Sequence, residues 1–119
     1  YIQYSYARTQ SVLDKTNKII DTQVLVTPEL KNLYKKLLEW ENVIKSAYQK
    51  KEVHLIAHYL ESLSSYFHTL WSSSKNNPKA KFLDNDNNIP SDLHNLLCSY
   101  QDVIKDGLKI LGIKPKLQM

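Results

Sequence analysis

Apolar residues recur at spacings of three and four through most of this chain, the period of amphipathic helices. The pattern predicts a first helix from the start to about Ile20, with Ile2, Tyr6, Leu13 and Ile20 on one face. A second helix has a marked start: Thr27 as N-cap, Pro28 at the first helical position and Glu29 beside it. Its stripe is Leu30, Leu33, Tyr34, Leu37 and Leu38, and the pattern runs on through Trp40, Val43, Ile44 and Ala47. A further helix is predicted from about Glu52 to Ser72, striped by Val53, Ile56, Ala57, Leu60, Leu63, Phe67, Leu70 and Trp71.

Ser73 to Pro90 breaks the pattern. It is rich in Ser, Asn, Asp and Lys, with Pro78 and Pro90 as breakers, and reads as a long exposed loop anchored by Phe82 and Leu83. A last helix follows, with Leu93, Leu96, Leu97, Tyr100, Val103, Ile104, Leu108 and Leu111 inward. Gly112 is placed as the left-handed residue after it, with Ile113 folding back on the last turn and Pro115 preventing continuation. Lys105 and Lys109 sit near the negative end of the helix dipole. Val24-Leu25-Val26 is too short to count as a strand. The expected fold is therefore all-α: an antiparallel-leaning bundle of four to five helices without a sheet, forming one domain over residues 1–119.

The 119 residues include only two glycines and four prolines, in keeping with helices. A chain of this length buries roughly two-thirds of its unfolded surface, enough for one core. It opens with Tyr1 inside an amphipathic pattern, as expected of a fragment of a larger protein. No stretch approaches the ~20 apolar residues of a membrane span, and the first residues lack the pattern of a signal peptide. The single cysteine, Cys98, lies on an apolar stripe and is expected to be a reduced, buried thiol in a cytosolic protein. The net charge of +4 permits a polyanion partner, and the lysines that supply it read equally well as a solvated surface.

No catalytic constellation can be found. There is no glycine-rich phosphate loop, and the spacing of Ser, His and Asp suggests no triad. His54 and His58 stand one turn apart with Glu61 near the same face, but without further ligands they read as ordinary helix histidines, and no metal site is expected. The opening segment YIQYSYAR is more telling. Tyr1, Tyr4 and Arg8 share one helical face, and two phenol rings with a guanidinium suit unstacked nucleic-acid bases. The competing reading is that Tyr1, Tyr4 and Tyr6 border the core, with Arg8 pairing a carboxylate such as Asp102.

The opening segment and the closing GLKILGIKPKLQM resemble the two ends of the C-terminal anticodon-binding domain of arginyl-tRNA synthetases, the DALR domain. That family carries a Y-x-Q-Y-x-x-x-R helix and a G-L-x-x-L-G-I tail ending in Met. The middle segment HLIAHYLESLSSYFHTLW resembles its H-x-x-x-x-Y-L-x-x-L-x-x-x-F-x-x-x-[YW] helix. The resemblance implies that Tyr1, Tyr4, Arg8 and Met119 face a tRNA anticodon loop. It implies a cytoplasmic, monomeric parent enzyme that ligates arginine to its tRNA using ATP and Mg²⁺. The catalytic signatures H-I-G-H and K-M-S-K-S are absent here, so this chain would do no bond chemistry and hold no cofactor. The implied partner is the arginine-acceptor tRNA, with neither DNA nor a membrane.

Two departures stand out. The family breaks its helix near Trp40, often with proline, where this chain has Glu41-Asn42, so a kink and a continuous helix both remain open. The family's Ala-Arg-Leu-x-Leu opening of the last helix reads SDLHNLL here, with Asp92 near the expected arginine. The alternatives are the helical domain of a cysteinyl or glycyl synthetase, or a protein–protein adaptor presenting its tyrosine face.

Overall fold

A computed structural model describes residues 2–77 and 81–114. Five helices carry the fold: α1 (Ile2–Lys15), α2 (Pro28–Leu37), α3 (Trp40–Lys50), α4 (His54–Asn76) and α5 (Ser91–Ile110). Two three-residue strands, β1 (Lys18–Ile20) and β2 (Asn88–Pro90), pair in parallel with Ile19 opposite Ile89. This small ribbon corrects the expectation of a bundle without a sheet. It also shortens the first helix, which ends at Lys15, so Ile19 and Ile20 are strand residues. Both are β-branched and fit an extended backbone better than a helix.

The capping chemistry explains the helix boundaries. Thr27 holds an extended backbone, and its Oγ1 accepts from the Leu30 amide at 3.2 Å, with Pro28 opening α2. The helix stops after Leu37 and α3 resumes at Trp40, so the chain breaks there without a proline. Tyr59 supports the break: its hydroxyl donates to the carbonyl of Lys36 at 2.6 Å, while its ring stacks on Trp40 at 5.5 Å. The Lys36 carbonyl, which also accepts from the Glu39 amide at 3.2 Å, thus gains a second hydrogen bond from α4 at the end of α2. At the end of α5, Gly112 has φ +76°. The Gly112 amide donates to Lys109 O at 3.0 Å and the Ile113 amide to Leu108 O at 2.8 Å, a Schellman ending that matches the sequence expectation.

α4 runs through the centre. Leu60, Leu63 and Phe67 are fully buried, as are Leu97, Tyr100 and Ile104 on α5 and Leu33 on α2. The Phe67 and Tyr100 rings stack at 4.8 Å. Gly107 allows α5 to lie close to α4, because a Cβ there would stand 2.7 Å from Leu60 Cδ1. The inward face of α1 differs from the expected one. Ser5, Tyr6, Thr9 and Val12 are buried, whereas Ile2 and Leu13 are half-buried. The hydroxyls fit because each has a local or cross-helix partner. Thr9 Oγ1 donates to Ser5 O at 2.8 Å and Ser5 Oγ to Ile2 O at 2.7 Å. The Tyr100 hydroxyl in turn donates to Ser5 Oγ at 2.6 Å.

The region expected to be one long loop is partly structured. Residues 73–76 extend α4, and residues 88–90 form β2. Between them Asp84 organises a turn: its Oδ1 accepts from the amides of Asp86 and Asn88, both at 2.9 Å. Phe82 is buried as expected, and so is Ile89, which lies fully inside.

Candidate nucleic-acid interface

The first turns of α1 lie against the C-terminal half of α4, and the two helices together build an aromatic and cationic cluster. Tyr4 is 40% exposed. Its hydroxyl accepts a hydrogen bond from Arg8 Nη2, and the Arg8 guanidinium carbon lies 4.3 Å from the Tyr4 ring centroid. The one-turn spacing of Tyr4 and Arg8 makes this contact possible. From α4, His68 stacks on Tyr4 at 5.8 Å, and the Trp71 ring centroid stands 4.9 Å from the Arg8 guanidinium carbon. The Lys75 ammonium lies 5.4 Å from the same Trp71 ring. Phe67 and Phe82 hold Trp71 from below, at 6.3 and 5.5 Å between ring centroids.

Of the four residues singled out by sequence, the structure brings Tyr4 and Arg8 together. Tyr1 and Met119 lie outside the described residues. Tyr6 takes the core role, 7% exposed, while Tyr4 stays on the surface. Among the described residues Arg8 has no carboxylate partner, so the pairing with Asp102 does not form. Arg8 is held by ring faces and a phenol oxygen, and its Nε is buried without an acceptor among the described residues, as is Trp71 Nε1. Nη2 is engaged by Tyr4 and Nε is buried, so the Nη1 amino group is the part of the guanidinium left to donate to a ligand.

His68, Trp71 and Lys75 carry no signal in the sequence that marks them as site residues. Trp71 belongs to the apolar stripe of its helix, and the three-four spacing of 68, 71 and 75 puts them on one face. What sequence spacing does not convey is that this face meets α1. Gln3 ties in the other end of the chain: its Nε2 donates to Lys114 O at 3.0 Å, bringing the segment after α5 against the start of α1.

Other features lie apart from the cluster. The rings of His54 and His58 contact edge to face at 5.6 Å, and no group of three metal-binding side chains gathers among the described residues. Cys98 is only partly buried, not the core thiol expected, because it turns toward His94, with Sγ 3.8 Å from Nδ1. Burial, with Asp102 adding to it, raises its thiol above the usual value and keeps it protonated. Asp92 stands in the first turn of α5, where a carboxylate suits the positive end of the helix dipole. It also borders an apolar groove of about 640 Å³ between α2 and α5, lined by Val24, Val26, Leu30, Tyr34, Leu96 and Val103. Among the described residues no helix is long and apolar enough to cross a membrane.

The helical architecture, the Schellman ending and the α1–α4 cluster define a helical domain with an exposed aromatic-cationic face. The chain matches the DALR anticodon binding domain over residues 2–119 and belongs to that family. An arginine–tRNA ligase of Orientia tsutsugamushi (strain Boryong) is 36% identical over 127 residues, covering 95% of this chain and 21% of the relative. Arginine–tRNA ligases of Pelagibacter ubique and Roseobacter denitrificans are each 32% identical, covering all of this chain and 22% of the relative. The chain thus spans about a fifth of the length of these relatives.

Proposed function

We propose that this chain is the anticodon-binding part of a longer arginine–tRNA ligase and that its α1–α4 face grips the anticodon loop of arginine-acceptor tRNA. The observation that carries the reading is the exposed Tyr4–Arg8 pair, propped from α4 by His68 and Trp71. Loop nucleotides have splayed bases that stack on aromatic and guanidinium planes and accept hydrogen bonds from arginine. Each such stacked base is worth about 1–3 kcal/mol. The relatives' names, arginine–tRNA ligase, support a tRNA as the partner. The parent reaction belongs to the proposal: arginine is activated with ATP and Mg²⁺ and passed to the tRNA. A cytoplasmic, monomeric parent belongs to the same reading. Tyr1 and Met119 are proposed as further contacts on sequence grounds, and Gln3 brings Lys114, five residues before Met119, to the start of α1.

The test is Arg8→Ala and Arg8→Lys in the full-length enzyme. Arg8→Ala is expected to reduce aminoacylation efficiency about 5- to 150-fold, the equivalent of 1–3 kcal/mol, with little change in melting temperature. Lysine keeps the charge but not the planar fork and rescues only in part. Full activity in both variants would remove Arg8 from the interface.

A further inference from the structure

The α1–α4 cluster contains more positive charge than stacking on bases requires. Arg8 and Lys75 come from different helices, yet both approach the ring of Trp71, at 4.9 and 5.4 Å from its centroid. They are therefore no more than about 10 Å apart. Among the described residues neither has a carboxylate within ion-pair distance. Two like charges held close without a counter-charge repel each other. The indole holds both cations by cation–π attraction, which outweighs this solvent-screened repulsion, and their positive charge is left for a polyanion to neutralise.

We propose that Trp71 gathers Arg8 and Lys75 into a phosphate-binding pair for the RNA backbone beside the anticodon bases. The inference rests on the RNA-binding reading above and adds a division of labour to it. Tyr4 meets bases, Arg8 bridges a base edge and the backbone through its planar guanidinium, and Lys75 meets the backbone alone, as a point charge. Lys75 suits that role because an ammonium on a flexible stem carries no planar selectivity. Trp71 is a positioning residue, since it acts through the two cations rather than on the RNA.

A backbone contact and a base contact have different fingerprints. Loss of a phosphate contact weakens binding to all sequences alike and reduces the salt dependence, by about 0.7 in the slope of log K against log salt for single-stranded RNA. A base contact affects discrimination between sequences. The experiment titrates full-length protein with arginine-acceptor tRNA and with the same tRNA carrying an altered anticodon, across a series of salt concentrations. Lys75→Gln is expected to weaken both by the same factor and to flatten the slope by about 0.7. Lys45→Gln, at an exposed position on α3, is the control and leaves both unchanged. Trp71→Phe keeps a ring but weakens cation binding, so it lowers affinity in the wild-type background and has a smaller effect on top of Lys75→Gln. Melting temperatures of every variant separate binding from folding.

Lys75→Gln behaving like Lys45→Gln would overturn the proposal, as would a loss confined to the cognate anticodon. Strict additivity of Trp71→Phe with Lys75→Gln would remove the positioning role. If the wild-type protein itself showed no salt-dependent tRNA binding, the functional reading would fall first, an outcome distinguishable from failure of the Lys75 variant alone.

Discussion

The tether between α5 and the first turn of α1 gives a sharp prediction, because one buried oxygen carries it. Tyr100 is fully buried, its ring stacks on Phe67, and its hydroxyl donates to Ser5 Oγ at 2.6 Å. Tyr100→Phe keeps the ring and deletes only that hydroxyl. Ser5 still donates to Ile2 O, so the loss is about one net hydrogen bond, roughly 1 kcal/mol. Ser5→Ala is the harsher change, since it strands the Tyr100 hydroxyl inside the core at a cost of about 1–3 kcal/mol. Removing both partners leaves nothing unsatisfied at that point, so the double variant should cost less than the sum of the singles by about 1 kcal/mol. Thermal unfolding reads this directly, at about 4 °C per kcal/mol for a domain of this size. Strict additivity, or an unchanged melting temperature for both singles, would show that the Ser5–Tyr100 contact does not hold the α1–α5 interface and refute the reasoning.

Leu60→Ala and Leu63→Ala each remove a fully buried side chain from the centre of α4 and should cost about 2–5 kcal/mol in chemical denaturation. Gly107→Ala places a methyl 2.7 Å from Cδ1 of the fully buried Leu60 and should destabilise by about 1–3 kcal/mol despite the better helix propensity of alanine, again read by denaturation. Tyr59, by burial and the nearby Glu39, and Tyr100, by burial, hold their protons above the ordinary value of 10.0. The unfolded chain therefore gives up these protons first, so their contribution to stability is complete below about pH 10 and falls as pH rises beyond it. Tyr59→Phe should flatten that alkaline loss in pH-dependent unfolding.

Much of the fold was legible because it is written in local chemistry. Thr27-Pro28 marks a helix start through a hydroxyl cap and a missing amide, and Gly112 marks a helix end through its positive φ. The α4 stripe needed only the helical period. The inward face of α1 is not legible from periodicity because Ser5 and Thr9 are polar. Their burial depends on Tyr100, 95 residues away from Ser5, which periodicity does not register. The ribbon escaped notice because three-residue strands leave no alternation to detect, and Ile89 stands alone in a polar stretch. The candidate site was legible only on α1. Tyr4 and Arg8 announce themselves by one-turn spacing, whereas His68, Trp71 and Lys75 join them through the packing of α4 against α1.

The most direct test of the central claim is to cross-link arginine-acceptor tRNA to the full-length protein with ultraviolet light and identify the attached peptides by mass spectrometry. Attachment within residues 2–8 and 67–75, lost on competition with the unlabelled anticodon stem-loop, is the predicted result. Anticodon-loop attachment confined to residues 24–38 and 92–103, around the α2–α5 groove, would contradict it.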